Sequence, residues 1–155
     1  MNITAREDIE APIEHVFEML SDFTQHERAA LRRGAEVDRL DSLTEPGPGM
    51  AWDMRFRMRG KNRQVRLELV RYDPPFEMAF AAHSPNIEAD LVLDLVALSK
   101  ARTRLNLALD LKPRTLSARL FIQSMKLARG SVSKRLEKGL AAQAREWEDR
   151  YARPA

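Results

Sequence analysis

Cysteine is absent from this chain of 155 residues, which removes disulfides, thiol nucleophiles and thiolate metal sites together. Histidine is scarce. His15, His26 and His83 lack the i, i+4 spacing of a helical metal pair, so no metal site is expected. No apolar run reaches the ~20 residues that a bilayer-spanning helix needs. The opening stretch from Met1 to Glu7 lacks the apolar core of a signal peptide, which makes the cytoplasm the expected compartment. Internal repeats, low-complexity tracts and linkers are missing too. Residues 1–155 therefore read as one domain, large enough to bury about two thirds of its unfolded surface.

What is present is a globular composition, 44% hydrophobic and 32% charged, with a modest net charge of +3. The cations are unevenly placed. Arg55, Arg57, Arg59, Lys61, Arg63, Arg66 and Arg71 crowd one stretch against Glu68 alone. A solvated basic face is the plainest reading, and transient contact with an anionic membrane is a second. Nucleic acid is not an expected partner, because the outward face has no aromatics for stacking and no helix-turn-helix or zinc module is visible.

Periodicity divides the chain. Ile3, Ala5, Glu7 and Ile9 alternate with polar residues as in a strand. Pro12 opens a helix with Ile13, Val16, Phe17 and Leu20 on its inner face. Thr24-Gln25-His26-Glu27 reads as a capping box for a second short helix that runs to about Arg33 and ends at Gly34. A weakly patterned strand follows from Val37 to Leu43, then a turn at Pro46-Gly47-Pro48-Gly49. Trp52, Met54, Phe56 and Met58 then share one face of a strand, with Asp53, Arg55, Arg57 and Arg59 on the other. After Gly60-Lys61-Asn62, the apolar face resumes with Val65, Leu67 and Leu69 and stops at Asp73-Pro74-Pro75. Phe76, Met78 and Phe80 continue it, followed by Leu91, Leu93 and Leu95, and by Leu105, Leu107, Leu109 and Leu111. Short turns between alternating strands mean an antiparallel meander with one dry face.

The last third, Pro113 to Tyr151, is helical. Phe121, Met125, Ala128, Val132, Leu136, Leu140, Ala144, Trp147 and Tyr151 form one stripe in steps of three and four. One such helix would be about 55 Å long, and Gly130-Ser131 marks a place for it to bend. The expected architecture is α+β: a seven-stranded curved antiparallel sheet around a long C-terminal helix, with two short helices after strand 1. A hydrophobic cavity between sheet and C-terminal helix follows from that arrangement.

Three stretches resemble the START-like superfamily, also called SRPBCC or Bet v 1-like, with its helix-grip fold. They are the strand-to-helix opening from Ile9 to Phe23, the Val70-Arg71-Tyr72-Asp73-Pro74-Pro75-Phe76 turn, and the helix after the final strand. Within the superfamily the chain is most similar to the polyketide cyclase/dehydrase and lipid-transport group. The resemblance implies a pocket for a small apolar molecule such as a lipid, isoprenoid quinone or polyketide. The inward candidates for its lining are Trp52, Met54, Phe56, Met58, Val65, Leu67, Leu69, Phe76, Met78, Phe80, Leu91, Leu93, Leu105, Leu107 and Leu109, with Phe121 and Met125 from the helix.

A cyclase or dehydratase would need ionisable groups inside that pocket, and strand parity offers almost none. His83 and Tyr72 fall on the outward face, and His15 on the outer side of the first helix. His26 lies in the capping segment, within reach of a pocket mouth. Asp38 and Asp41, on the poorly patterned second strand, are where a hidden acid would be sought. No catalytic constellation and no cofactor are expected. Binding or transport of a small hydrophobic ligand is the favoured function. A polyketide cyclase-type enzyme and a protein-interaction module on the same fold are the alternatives.

Overall fold

A computed structural model describes residues 1–153. Strand β1 (Asn2–Ile9) leads into helices α1 (Ile13–Leu20) and α2 (Phe23–Arg32). Strands β2 (Glu36–Arg39), β3 (Ala51–Met58), β4 (Lys61–Asp73), β5 (Glu77–His83), β6 (Ile87–Ser99) and β7 (Arg102–Pro113) follow in an unbroken meander. Helices α3 (Leu116–Leu127) and α4 (Arg129–Ala152) end the described chain. The sheet is antiparallel in the order β1-β7-β6-β5-β4-β3-β2, so the first strand closes beside the last.

The alternation read from the sequence sets the registers. Trp52 lies opposite Leu67, Leu69 opposite Phe80, Phe80 opposite Leu91, and Leu93 opposite Leu107. These residues share the concave face, and α1 and α4 close much of it. Ile9, Val16, Phe17, Leu69, Met78, Leu105, Ala144 and Trp147 form one buried core between sheet and helices. Thr103, fully buried, donates its hydroxyl to the Ala11 carbonyl at 2.8 Å and ties β7 to the start of α1.

Several expectations are corrected. The long C-terminal helix is α4, 24 residues, preceded by the separate helix α3; the two part at Ala128 (φ −104°, ψ 23°) rather than at Gly130-Ser131, which lies inside the first turn of α4. Strand β2 spans only Glu36–Arg39, because the chain beyond it is held by Asp41 instead of a ladder. Phe76 keeps the inward parity on paper but sits in the turn before β5, where it is 55% exposed. Met58 is 50% exposed because it lies at the tip of the β3–β4 hairpin, past the edge of the helical cover. The hairpin turns at Arg59-Gly60, both with positive φ, as a tight two-residue connection requires.

Tyr72 faces inward, not outward. Leu69 pairs with Phe80 but Arg71 pairs with Ala79, so Val70 is the extra residue of a bulge, and parity reverses beyond it. Val70 stays on the solvent side, and the Tyr72 ring, brought inward, packs 5.4 Å from Phe17.

Candidate functional site: an apolar cavity beneath helix α2

A cavity of about 290 Å³ lies between α2 and the concave face of the sheet, near the lower end of the range for small-molecule sites. Leu20 of α1, Phe23, His26, Glu27 and Ala30 of α2, Val37 of β2, Trp52 and Met54 of β3, Leu67 of β4, Met78 and Phe80 of β5, and Leu93 of β6 line it. No residue of α3 or α4 does, so this cavity is not the expected one between sheet and C-terminal helix. Ala144 and Trp147 of α4 are instead packed into the core, and α4 lies along β1. The patch over β2–β6 is left to a ten-residue helix.

That helix presents Phe23, His26, Glu27 and Ala30 at i, i+3, i+4 and i+7, one face in helical terms. Its cap is Asp22, whose carboxylate accepts the Gln25 amide at 3.3 Å, and not the Thr24–Glu27 box. Glu27 is thus released from capping and points at the sheet, where its Oε1 accepts the Trp52 indole N–H at 2.7 Å. His26 Nε2 lies 2.9 Å from the Leu20 carbonyl oxygen. A carbonyl only accepts, so Nε2 carries the proton of that bond.

Trp52 is the pivot of the site. The indole is 4% exposed, with the Phe23 ring centroid 5.3 Å away and that of Phe80 6.4 Å away. The Arg39 guanidinium sits over the indole, 5.5 Å from the ring centroid. Asp41 holds Arg39 through two bonds of 2.6 and 2.8 Å and accepts the Ala51 and Leu43 amides. The hydrogen bond from Arg39 is the main reason the Asp41 carboxyl lies well below the usual carboxylate range, and the same contact raises Arg39. Asp41 is a strut behind Trp52 and does not face the cavity, and Asp38 is paired with Arg55 at 2.6 Å on the surface. The acid at the cavity is Glu27.

Of the lining expected from sequence, Trp52, Met54, Leu67, Met78, Phe80 and Leu93 come together. Leu69 and Leu105 are fully buried in the adjoining core, with Leu91 and Leu107 packed partly against it. Phe56, Val65 and Leu109 are half-buried away from the cavity. Phe121 and Met125 are half-buried on α3, the former under the Arg59 guanidinium at 4.5 Å from its ring centroid. Met58 and Phe76 face solvent. Of the α2 residues only His26 was placed near a pocket mouth; Phe23, Glu27 and Ala30, and Val37 of β2, were not expected in the lining. The available signal was the i, i+3, i+4, i+7 spacing of Phe23, His26, Glu27 and Ala30, which puts them on one helix face. Arg63, counted among the solvated cations, is half-buried on the concave parity with Val65, and its Nε has no hydrogen-bond partner.

Although His26 and Glu27 are ionisable, their polar atoms turn to Leu20 and Trp52, and the surface offered to a ligand is almost wholly apolar. Among the described residues, no group of three or more His, Asp or Glu is placed to hold a metal ion. No helix there is long and apolar enough to cross a membrane.

A long sheet wrapped on helices, with an apolar cavity at the sheet's concave face, defines a helix-grip protein. The chain belongs to the family described as "Polyketide cyclase / dehydrase and lipid transport", which matches residues 1–148. Solved structures agree on the fold. An aromatase/cyclase from a Streptomyces species is 18% identical with a TM-score of 0.69, over 99% of this chain and 96% of that one. A Thermus thermophilus protein is also 18% identical, with a TM-score of 0.62 over 98% and 97% of the two chains. A START superfamily protein from Mycobacterium smegmatis is 12% identical, with a TM-score of 0.58 over 88% and 97%. No curated protein matches the sequence.

Proposed function

We propose that the protein binds and carries a small hydrophobic molecule in the cavity beneath α2. The observation that carries this reading is the lining itself: aromatic and methionine side chains around an unfilled volume, with the nearby polar atoms already bonded to the protein. Transfer of apolar surface from water into such a space is favourable by roughly 25 cal/mol per Å². Met54 and Met78 adapt to irregular contents. The family and the fold support the same class of ligand.

The two tryptophans provide the test, since Trp52 lines the cavity and Trp147 does not. Titration with a fluorescent naphthalene derivative should quench Trp52 emission saturably. The quenching should persist in Trp147→Phe and vanish in Trp52→Phe. Quenching that survives Trp52→Phe and vanishes in Trp147→Phe would place the ligand elsewhere and sink the reading.

The second reading is a cyclase-type enzyme, favoured by one observation: Glu27 and His26 are neighbours in the cavity wall. A ligand enol hydroxyl that displaced the indole N–H would donate to the Glu27 carboxylate, and proton transfer there is the step such chemistry needs. Turnover of a polyketide-like carbonyl compound that is lost in Glu27→Gln, with binding retained, would establish it.

A further inference from the structure

Helix α3 carries an apolar ridge that the fold does not cover. Leu116, Leu120 and Leu127 are 73%, 57% and 93% exposed. At about 3.6 residues per turn they fall within about 40° of one another. The helix is anchored by its other side, through buried Ala118 and Ile122. The ridge is therefore a second apolar face, pointing away from the protein.

Its electrostatic setting is one-sided. Between positions 111 and 136 the chain contains no Asp or Glu. Lys112 and Arg114 are satisfied by Asp90 and Glu88, but among the described residues Arg119, Lys126 and Arg129 form no ion pair. Arg119 and Lys126 flank the ridge along one side. The β3–β4 hairpin tip lies beside α3, since Arg59 stacks on Phe121 at 4.5 Å. It adds exposed Met58 and the Lys61 ammonium to the same end of the molecule. The arginines of the sheet itself are less available: Arg55 is clamped by Glu36, Asp38 and Asp53, and Arg71 by Glu77.

From this juxtaposition we infer that α3 and the β3–β4 hairpin tip form a docking surface for an anionic lipid bilayer, the leucine ridge entering the interface and the cations meeting the headgroups. Apolar residues on one stripe with cations beside them are what an interfacial helix needs. Charge argues against a second copy of the chain as the occupant, because two such faces would bring like charges together. The surface is separate from the cavity beneath α2. It works whether or not that cavity holds a ligand, so the two readings fail independently.

The test is flotation of the full chain with phosphatidylcholine vesicles and with phosphatidylcholine–phosphatidylglycerol vesicles. Binding is expected only to the latter and should weaken as salt is raised. Leu116→Ser/Leu120→Ser/Leu127→Ser, all exposed positions, should lower partition by about tenfold or more while circular dichroism stays native. Arg119→Gln/Lys126→Gln should lower it roughly 25-fold, about fivefold for each cation removed. Arg55→Gln, on the sheet, should leave it unchanged. Absence of flotation with anionic vesicles would overturn the inference. So would binding indifferent to the leucine variant, or a concentration-dependent dimer that the leucine variant abolishes.

Discussion

Replacing Ala30 by phenylalanine probes the space beneath α2. Ala30 is half-buried on the inner face of the helix and its methyl group borders the cavity. A phenylalanine ring projected from there enters a volume of about 290 Å³ that is otherwise unfilled. Burying such a side chain stabilises by about 1.5–3 kcal/mol. Lower helix propensity offsets roughly 0.5 kcal/mol of that, and a half-buried site realises only the lower part of the range. The net expectation for Ala30→Phe is a gain of about 1 kcal/mol, or a rise in Tm of about 2–4 °C for a chain of this size. Affinity for a naphthalene probe should fall at least tenfold, because ring and probe compete for one volume. Urea unfolding and the probe titration read the two effects on one sample. Overpacking of a filled core costs roughly 1–3 kcal/mol. A loss of that size with probe affinity unchanged would mean that the space beneath α2 is already packed.

Other consequences follow from the contacts around the site. Trp52→Phe removes the indole N–H and leaves Glu27 facing an apolar wall, so urea unfolding should show a loss of about 1–3 kcal/mol. Asp22→Ala removes the cap of α2 and should cost about 1 kcal/mol. It should also speed release of a bound probe in stopped-flow, since α2 roofs the cavity. Asp41 has a folded pKa below its unfolded value, so its stabilising effect is complete above about pH 4 and fades as pH falls through the folded pKa. Asp41→Asn should therefore be less stable than the parent at neutral pH, with the gap closing in acid-unfolding curves below about pH 4.

The sheet was legible because its strands alternate cleanly. Trp52 to Met58 and Leu105 to Leu111 could be assigned a face from parity alone, and the ladders match. Parity failed where the backbone departs from a simple ladder. The bulge at Val70 contains neither glycine nor proline, so nothing in the sequence announced that Tyr72 would turn inward. Phe76 belongs to a turn, where alternation carries no meaning. The helix break falls at Ala128, two residues before the Gly130-Ser131 pair that marks the weak point in the sequence, because glycine within a first turn is tolerated.

The cavity was half legible, and the physical reason is instructive. A residue that lines a space needs no complementary partner, so the roof of a cavity lacks the dense apolar stripe that marks a packed helix. Helix α2 offers one phenylalanine, one alanine, a histidine and a glutamate to the sheet. The strongly apolar inner residues of α4, by contrast, signal close packing against the core. Glu27 was assigned to a capping box whose spacing is correct, but Asp22 stands two residues earlier and takes the cap. The sheet side of the cavity followed from alternation, whereas the helical side depended on which of two acceptors won the helix terminus.

Native mass spectrometry of the freshly purified protein, with Ala30→Phe run beside it, asks whether a ligand occupies the space beneath α2. The parent should carry an adduct of lipid-like mass that is lost or much reduced in the variant. An adduct retained equally by both proteins would contradict it, because a molecule held beneath α2 cannot share that volume with the new ring.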